Sequence, residues 1–161
     1  EERYTTFYSG TGVGWAFRSL SLCVLNAAAL GIYCATARWG ALLPSPPRLV
    51  WRSSERVEIA QPVRHEMLQE TGVVQGGLLT ALADTAAVYL LLPDLGDART
   101  MAGTTVSMQF LSGAVAGAES LRAVAVPLRV GRTVAVCESS VHQGDRLVAK
   151  GTFTFLLRDK R

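Results

Sequence analysis

Gly72-Val73-Val74-Gln75-Gly76-Gly77-Leu78-Leu79-Thr80-Ala81-Leu82-Ala83-Asp84-Thr85-Ala86-Ala87-Val88-Tyr89-Leu90-Leu91-Leu92 is the stretch on which the fold turns. A glycine pair opens a long apolar run, and Pro93 follows it, which predicts a helix over 77–92 ended by the proline. The run is apolar nearly all round, so it must be covered on most sides. Asp84 is the only charged residue between Glu70 and Asp94. A lone carboxylate inside an apolar helix is costly unless it is paired or used. Burial also raises its pKa, which suits a base or nucleophile. The bland alternative is a structural carboxylate satisfied by Thr80, Thr85 or a nearby loop.

Outward from the helix, the flanks read as strands. Arg48–Trp51 and Arg56–Ala60 predict two short strands around a Ser53-Ser54 turn, and Pro62–Thr71 a loop or a short helical turn. Beyond a polar loop over Asp94–Arg99, Thr104–Leu111 alternates, with Val106, Met108 and Phe110 on one face and Thr105, Ser107 and Gln109 on the other. Leu121–Val130, Thr133–His142 and Arg146–Leu157 follow, separated by Gly131-Arg132 and Gln143-Gly144-Asp145, which predicts a meander. Two strands, a long helix and four strands give an α+β domain whose antiparallel sheet wraps around one apolar helix.

Composition sets the outer limits. The chain has 161 residues, 49% of them apolar, a formal net charge of +3, three cysteines and two histidines. That length and apolarity suffice for one packed core. Basic residues are scattered, with no basic stripe for nucleic acid. Cys23, Cys34 and Cys137 lack metal-ligand spacing, and with only His65 and His142 a metal site is not expected. Reduced thiols fit a cytoplasmic protein. Residues 1–44 are read as a leader with an apolar helical segment, and 45–161 as the main domain. Gly10-Thr11-Gly12-Val13-Gly14 follows no strand and has the wrong spacing for a nucleotide loop. Ser19–Ala37 carries no charge, but Ser19, Ser21, Asn26, Gly31 and Thr36 dilute it. A buried or partner-packed extra helix is favoured there over membrane contact. Pro44, Pro46 and Pro47 then end any helix.

The stretch Gln69–Val88, the segment Val106-Ser107-Met108-Gln109-Phe110-Leu111-Ser112-Gly113-Ala114 and the run Arg146-Leu147-Val148-Ala149-Lys150-Gly151-Thr152-Phe153 together resemble the hotdog-fold acyl-CoA thioesterases. They are most similar to the phenylacetate-pathway and 4-hydroxybenzoyl-CoA branch. The resemblance begins near Arg48 and runs to the C-terminus. It implies a hotdog fold, a homodimer or a dimer of dimers (a homotetramer) with joined sheets, and hydrolysis of an acyl-CoA to free acid and coenzyme A without a further cofactor. It implies that the Gly76 N–H polarises the thioester carbonyl, that Asp84 is nucleophile or general base, and that Gln69 orients substrate or water. Gln75 departs from the family, where histidine usually precedes the glycine pair.

Elementary physics supports the same roles. A helix N-terminus offers unpaired N–H donors and partial positive charge, and glycine at 76 and 77 lets a ligand approach the backbone. One such donor to an oxyanion is worth roughly 3 kcal/mol of barrier. Eight residues of helix separate Gly76 from Asp84 by about 12 Å, whereas reacting groups must stand about 3 Å apart. A site joining them therefore takes Gly76 from one chain and Asp84 from another, or the two do not act together. Arg129 and Arg132, flanking Gly131, are candidates for the coenzyme A phosphates, since guanidinium suits phosphate. Ser107 is a candidate pocket residue if its strand face is not solvated. Two other functions stay open: a hotdog hydratase or dehydratase, which would want a histidine paired with the carboxylate, and a non-catalytic acyl-CoA-binding module. A serine hydrolase is disfavoured, because the chain has no Gly-x-Ser-x-Gly elbow.

Overall fold

A computed structural model describes residues 47–160 apart from Ala118, and the readings made for residues 1–44 and for the boundary at 44/45 lie outside the described residues. Pro47 onward forms one compact unit. Its elements are β1 (Arg48–Arg52), β2 (Val57–Gln61), a short 3-10 turn (His65–Met67), α1 (Gly76–Leu95), β3 (Arg99–Phe110), β4 (Leu121–Val130), β5 (Val134–Gln143) and β6 (Arg146–Asp159). The strands form one six-stranded sheet in the order β1-β2-β4-β5-β6-β3. Every neighbouring pair is antiparallel. Among the described residues, the expected sheet around one long helix, the hotdog arrangement, is what the chain adopts.

The helix sits on the sheet for the reason its composition gives. Leu79, Leu82, Ala83, Ala86, Ala87, Leu90 and Leu91 are buried, and so are residues on several sides of the cylinder. Alone, α1 is long and apolar enough to cross a membrane, but most of that stretch is buried within the fold. Its floor is the inner face of the sheet, where Val57, Ile59, Leu121, Val141, Phe153 and Phe155 are at most 1% exposed. Small residues, Ala123 and Ala125 on β4 and Ala135 on β5, are fully buried on that face and let the helix lie close.

Two boundaries differ from the sequence expectation. Pro93 does not end the helix; it lies inside the last turn, and α1 continues to Leu95. A proline one turn from the end removes one donor, and the buried Leu95 side chain holds the remaining turn in place. The actual stop is Gly96, at φ +58°, a backbone conformation that favours glycine. The expected polar loop over 94–99 is correspondingly short, and β3 begins at Arg99 rather than Thr104. Thr100, Met101, Ala102 and Gly103 pair with Arg158, Leu157, Leu156 and Phe155 on the long β6. Ala102 and Gly103 are poor strand formers, so the partner strand rather than propensity extends β3.

β3 carries the two faces that its alternation assigned, and both are exposed along much of their length. Val106 and Phe110 are each about half exposed, and so is the Thr105, Ser107 and Gln109 face. Among the described residues β3 is an edge strand, bonded to β6 alone. Its Val106, Met108 and Phe110 side lies opposite Phe153, Gly151 and Ala149, which are buried on the helix side of β6.

Gly151 is the tightest point of that pairing. A Cβ there would stand 2.4 Å from the Ser107 carbonyl oxygen and 2.5 Å from Met108 Sδ. Gly151→Ala must push β3 outward, and the expected cost is about 1–3 kcal/mol. Chemical denaturation of the variant beside the wild type measures it; an unchanged midpoint would mean that β3 shifts freely.

Candidate active site

The start of α1 is held by a short loop. The Gln69 N–H donates to the Val73 carbonyl and the Gly72 N–H to the Gln69 carbonyl, each at 2.9 Å. Gly72, at φ +77°, completes this turn. The Val74 N–H donates to the Ala114 carbonyl at 2.7 Å, and the Gln75 N–H to the Met67 carbonyl at 3.0 Å. Val73 bridges Val115, so the loop after β3 braces the approach to the helix.

Gln75 is the N-cap residue, but its side chain does not cap the helix. Its carbonyl accepts from Leu78 and Leu79. Among the described residues no acceptor reaches the N–H of Gly76 or Gly77, so two backbone donors stand open where the helix dipole is positive. A Cβ on Gly77 would meet nothing within 4 Å, whereas one on Gly76 would meet the Phe110 ring at 3.1–3.4 Å. The open approach is therefore at Gly77, and Phe110 roofs Gly76. Sequence reading placed Phe110 on a strand face but missed this contact, which depends on the return path of β3 along the helix.

Asp84 lies about 12 Å further along the same helix, on a stripe with Gly77 and Thr80 that is less covered than the rest of α1. The two hydroxyls best placed to satisfy it are committed elsewhere. Thr80 Oγ1 donates to the Gly76 carbonyl at 3.0 Å. Thr85 Oγ1 donates to the Ala81 carbonyl at 2.8 Å. Among the described residues no hydrogen bond or ion pair reaches the Asp84 carboxylate. Burial without a partner lifts its pKa from the ordinary 3.8 to about 6. A carboxylate poised there accepts a proton near neutrality better than an ordinary one.

The other candidates divide by location. Gln69, Gln75, Gly76 and Gly77 gather at the N-terminal end of α1. Gln69 and Gln75 are exposed. Ser107 lies on the face of β3 opposite Phe110, with Gln109 Nε2 3.4 Å from its hydroxyl. Arg129 and Arg132 are exposed at the β4–β5 turn. Phe110, Ala149 and Val141 mark one end of the sheet, and Met101, Leu157 and Val134 the other. Along the strands the two arginines therefore stand roughly 17 Å (Arg129) and roughly 30 Å (Arg132) from the level of Gly76 within one chain, at about 3.3 Å per strand residue. The Arg132 carbonyl accepts from Arg99. His142 is on the outer sheet face, paired across strands with Arg122, and His65 is exposed in the 3-10 turn. Neither stands beside Asp84. Burial pushes the Cys137 thiol up to about 11, which makes it unreactive. Among the described residues no group of three His, Cys, Asp or Glu side chains is arranged to hold a metal ion.

The raised Asp84 pKa has a stability consequence. The folded chain holds this proton more tightly than the unfolded chain, so ionisation of Asp84 costs stability as pH rises from about 4 through about 6. Asp84→Asn should stabilise the fold by on the order of 2–3 kcal/mol at pH 8 and add little at pH 4. Urea denaturation at the two pH values checks this.

The fold agrees with comparisons to known proteins. The sequence pattern of the Thioesterase superfamily matches residues 71–153. A candidate esterase of Deinococcus radiodurans is 38% identical over 93 residues, which are 58% of this chain and 60% of that protein. The chain thus spans under two thirds of that relative's length. A phenylacetic acid degradation-related candidate thioesterase of Ralstonia eutropha superposes with a TM-score of 0.67 at 28% identity, over 74% of this chain and 89% of that one. A Streptococcus mutans protein crystallised with acetyl CoA superposes with a TM-score of 0.62 at 23% identity, over 71% and 90% of the two chains. The match of that sequence pattern over residues 71–153, on a six-stranded antiparallel sheet carrying one long helix, makes the chain a member of the thioesterase superfamily.

Proposed function

We propose that the chain hydrolyses an acyl-CoA thioester in a site shared by two copies of itself. The observation that carries the reading is the Asp84 carboxylate, its pKa raised to about 6, on the same helix as two N–H donors, with no partner for any of the three among the described residues. Thioester hydrolysis requires such a pair: donors for the developing oxyanion, and a group that attacks or deprotonates water. The acetyl CoA bound by the Streptococcus mutans relative supports a coenzyme A substrate. The Ralstonia eutropha relative supports the phenylacetate-type branch.

In this mechanism the Gly76 N–H, with that of Gly77 beside it, polarises the thioester carbonyl. Asp84 of the second copy takes a proton from water as the water oxygen bonds to the carbonyl carbon. The tetrahedral oxyanion collapses, the C–S bond breaks, and the thiolate leaves with the proton that Asp84 had taken. Alternatively the Asp84 carboxylate attacks first, and water hydrolyses the mixed anhydride. Both routes are redox-neutral and call on no further cofactor. Gln69, at the same helix end, orients substrate or water.

The edge position of β3 supports the shared site. Its outward backbone groups and half-exposed Val106 and Phe110 suit antiparallel pairing with a second β3. Such pairing sets the β4–β5 turn of one copy at the same end of the joined sheet as Gly76 of the other. Arg129 and Arg132 would then serve the partner's coenzyme A phosphates rather than their own chain's.

A thiol-release assay over aryl- and alkyl-CoA substrates tests the reaction. Turnover should rise with pH through an apparent pKa of about 6, and Asp84→Asn should lower kcat by about 10²–10⁴. Near-normal hydrolysis by that variant refutes the assignment.

The shared site has its own check. Asp84→Asn chains are unfolded and refolded with Gly76→Val chains, each inactive alone. About a quarter of wild-type turnover should return, because half the dimers are mixed and each holds one complete site. No recovery would count against sharing.

A further inference from the structure

Gln143, the last residue of β5, is 6% exposed and takes no part in the chemistry described above. Its amide is nevertheless fully engaged. Oε1 accepts from the Val115 N–H at 3.0 Å. Nε2 donates to the Val115 carbonyl at 2.8 Å and to the Glu119 carbonyl at 3.0 Å. Arg146 Nη2 lies 3.4 Å from Oε1. One side chain therefore pairs with both backbone groups of Val115, as a neighbouring strand would.

Val115 does not end the connection. Its other side bridges Val73, and the preceding carbonyl, Ala114, takes the Val74 N–H. Val74 is buried and lies two residues before Gly76. Gly113 packs so closely on Val73 that a Cβ there would stand 2.8 Å from Val73 Cγ1. The loop after β3 is thus clasped between Gln143 and the segment that delivers the helix start. Ser112 fixes the near end of this loop, donating from its hydroxyl to the Leu147 carbonyl at 3.0 Å. Gln143 fixes the far end.

We infer that Gln143 is a positioning residue for the Gly76–Gly77 donors, acting through Val115 and Val74. The physical reason is that donors to an oxyanion work only when their directions are set in advance. A displacement of about 1 Å at a reacting centre costs up to roughly a hundredfold in rate. A buried amide with every donor and acceptor matched is stiff, because each lost bond strands a polar group away from water. The kinetic part of this inference rests on the hydrolase reading; the mechanical part does not.

Gln143→Leu removes all of these bonds, and Gln143→Glu keeps the acceptor for the Val115 N–H while losing the donor. Three quantities are measured: kcat and KM for thiol release per folded chain, and hydrogen exchange of the Val74 amide. Val141→Ala, a core truncation on the same strand, serves as the stability-matched comparison. Expected is a loss of protection at Val74 and a fall in kcat of about ten-fold or more for Gln143→Leu. KM should change little, Gln143→Glu should fall between it and the wild type, and Val141→Ala should keep its kcat. If Gln143→Leu does not fold, Gln143→Glu against wild type decides the matter. Unchanged Val74 protection would overturn the inference. So would lost protection with normal kcat, or an equal fall in Val141→Ala. If the wild type releases thiol from no acyl-CoA, the hydrolase reading fails, and the exchange arm alone decides whether Gln143 holds the helix start.

Discussion

A helix with no polar face imposes the main constraint on this molecule. α1 buries residues on nearly every side, so it is stable only where a surface curves around it. The sheet supplies that surface through small side chains under the helix and large ones around it. Everything placed along α1 inherits the rigidity of that packing, including the two features that matter chemically. Among the described residues its first two amides have no acceptor, and Asp84, the carboxylate in its apolar middle, has no partner. The carboxylate would be a defect in an ordinary core helix. Together, on a helix packed along most of its length, they are groups held in fixed places.

The architecture was largely legible in the sequence because it follows from patterns of apolar spacing. The apolar run around Asp84 predicted the helix, and the tight turns at Gly131-Arg132 and Gln143-Gly144-Asp145 predicted the meander. Errors fell where local propensity and tertiary pairing compete. Pro93 is a strong stop signal, yet Leu95 has a place in the core and the helix continues to reach it. Ala102 and Gly103 are weak strand formers, yet β6 is long enough to recruit them. The alternation of Val106, Met108 and Phe110 put the three on one face of a strand. Which face would be covered, and by what, is set by the position of β3 at the sheet edge.

The candidate site was legible only in part, for a related reason. Asp84 and the glycine pair announce themselves by composition: one charge in an apolar run, two residues without side chains at its start. Phe110 and Gln143 do not. Their contributions arise from contacts across long stretches of chain, Phe110 with Gly76 and Gln143 with Val115. Arg129 and Arg132 looked suitable by charge, but the register of the sheet sets them at the far end from their own Gly76. Residue type could be read from the sequence; distance required the strand pairing.

The outer edge of β3 is bounded by main-chain amides and carbonyls rather than by a particular set of side chains. Attachment at such a border depends on spacing and direction, which any non-proline residue can provide. Amino-acid replacements along it are thus cheap so long as the extended conformation survives. That leniency gives one physical reason why relatives sharing about a quarter of their residues with this chain still superpose on it.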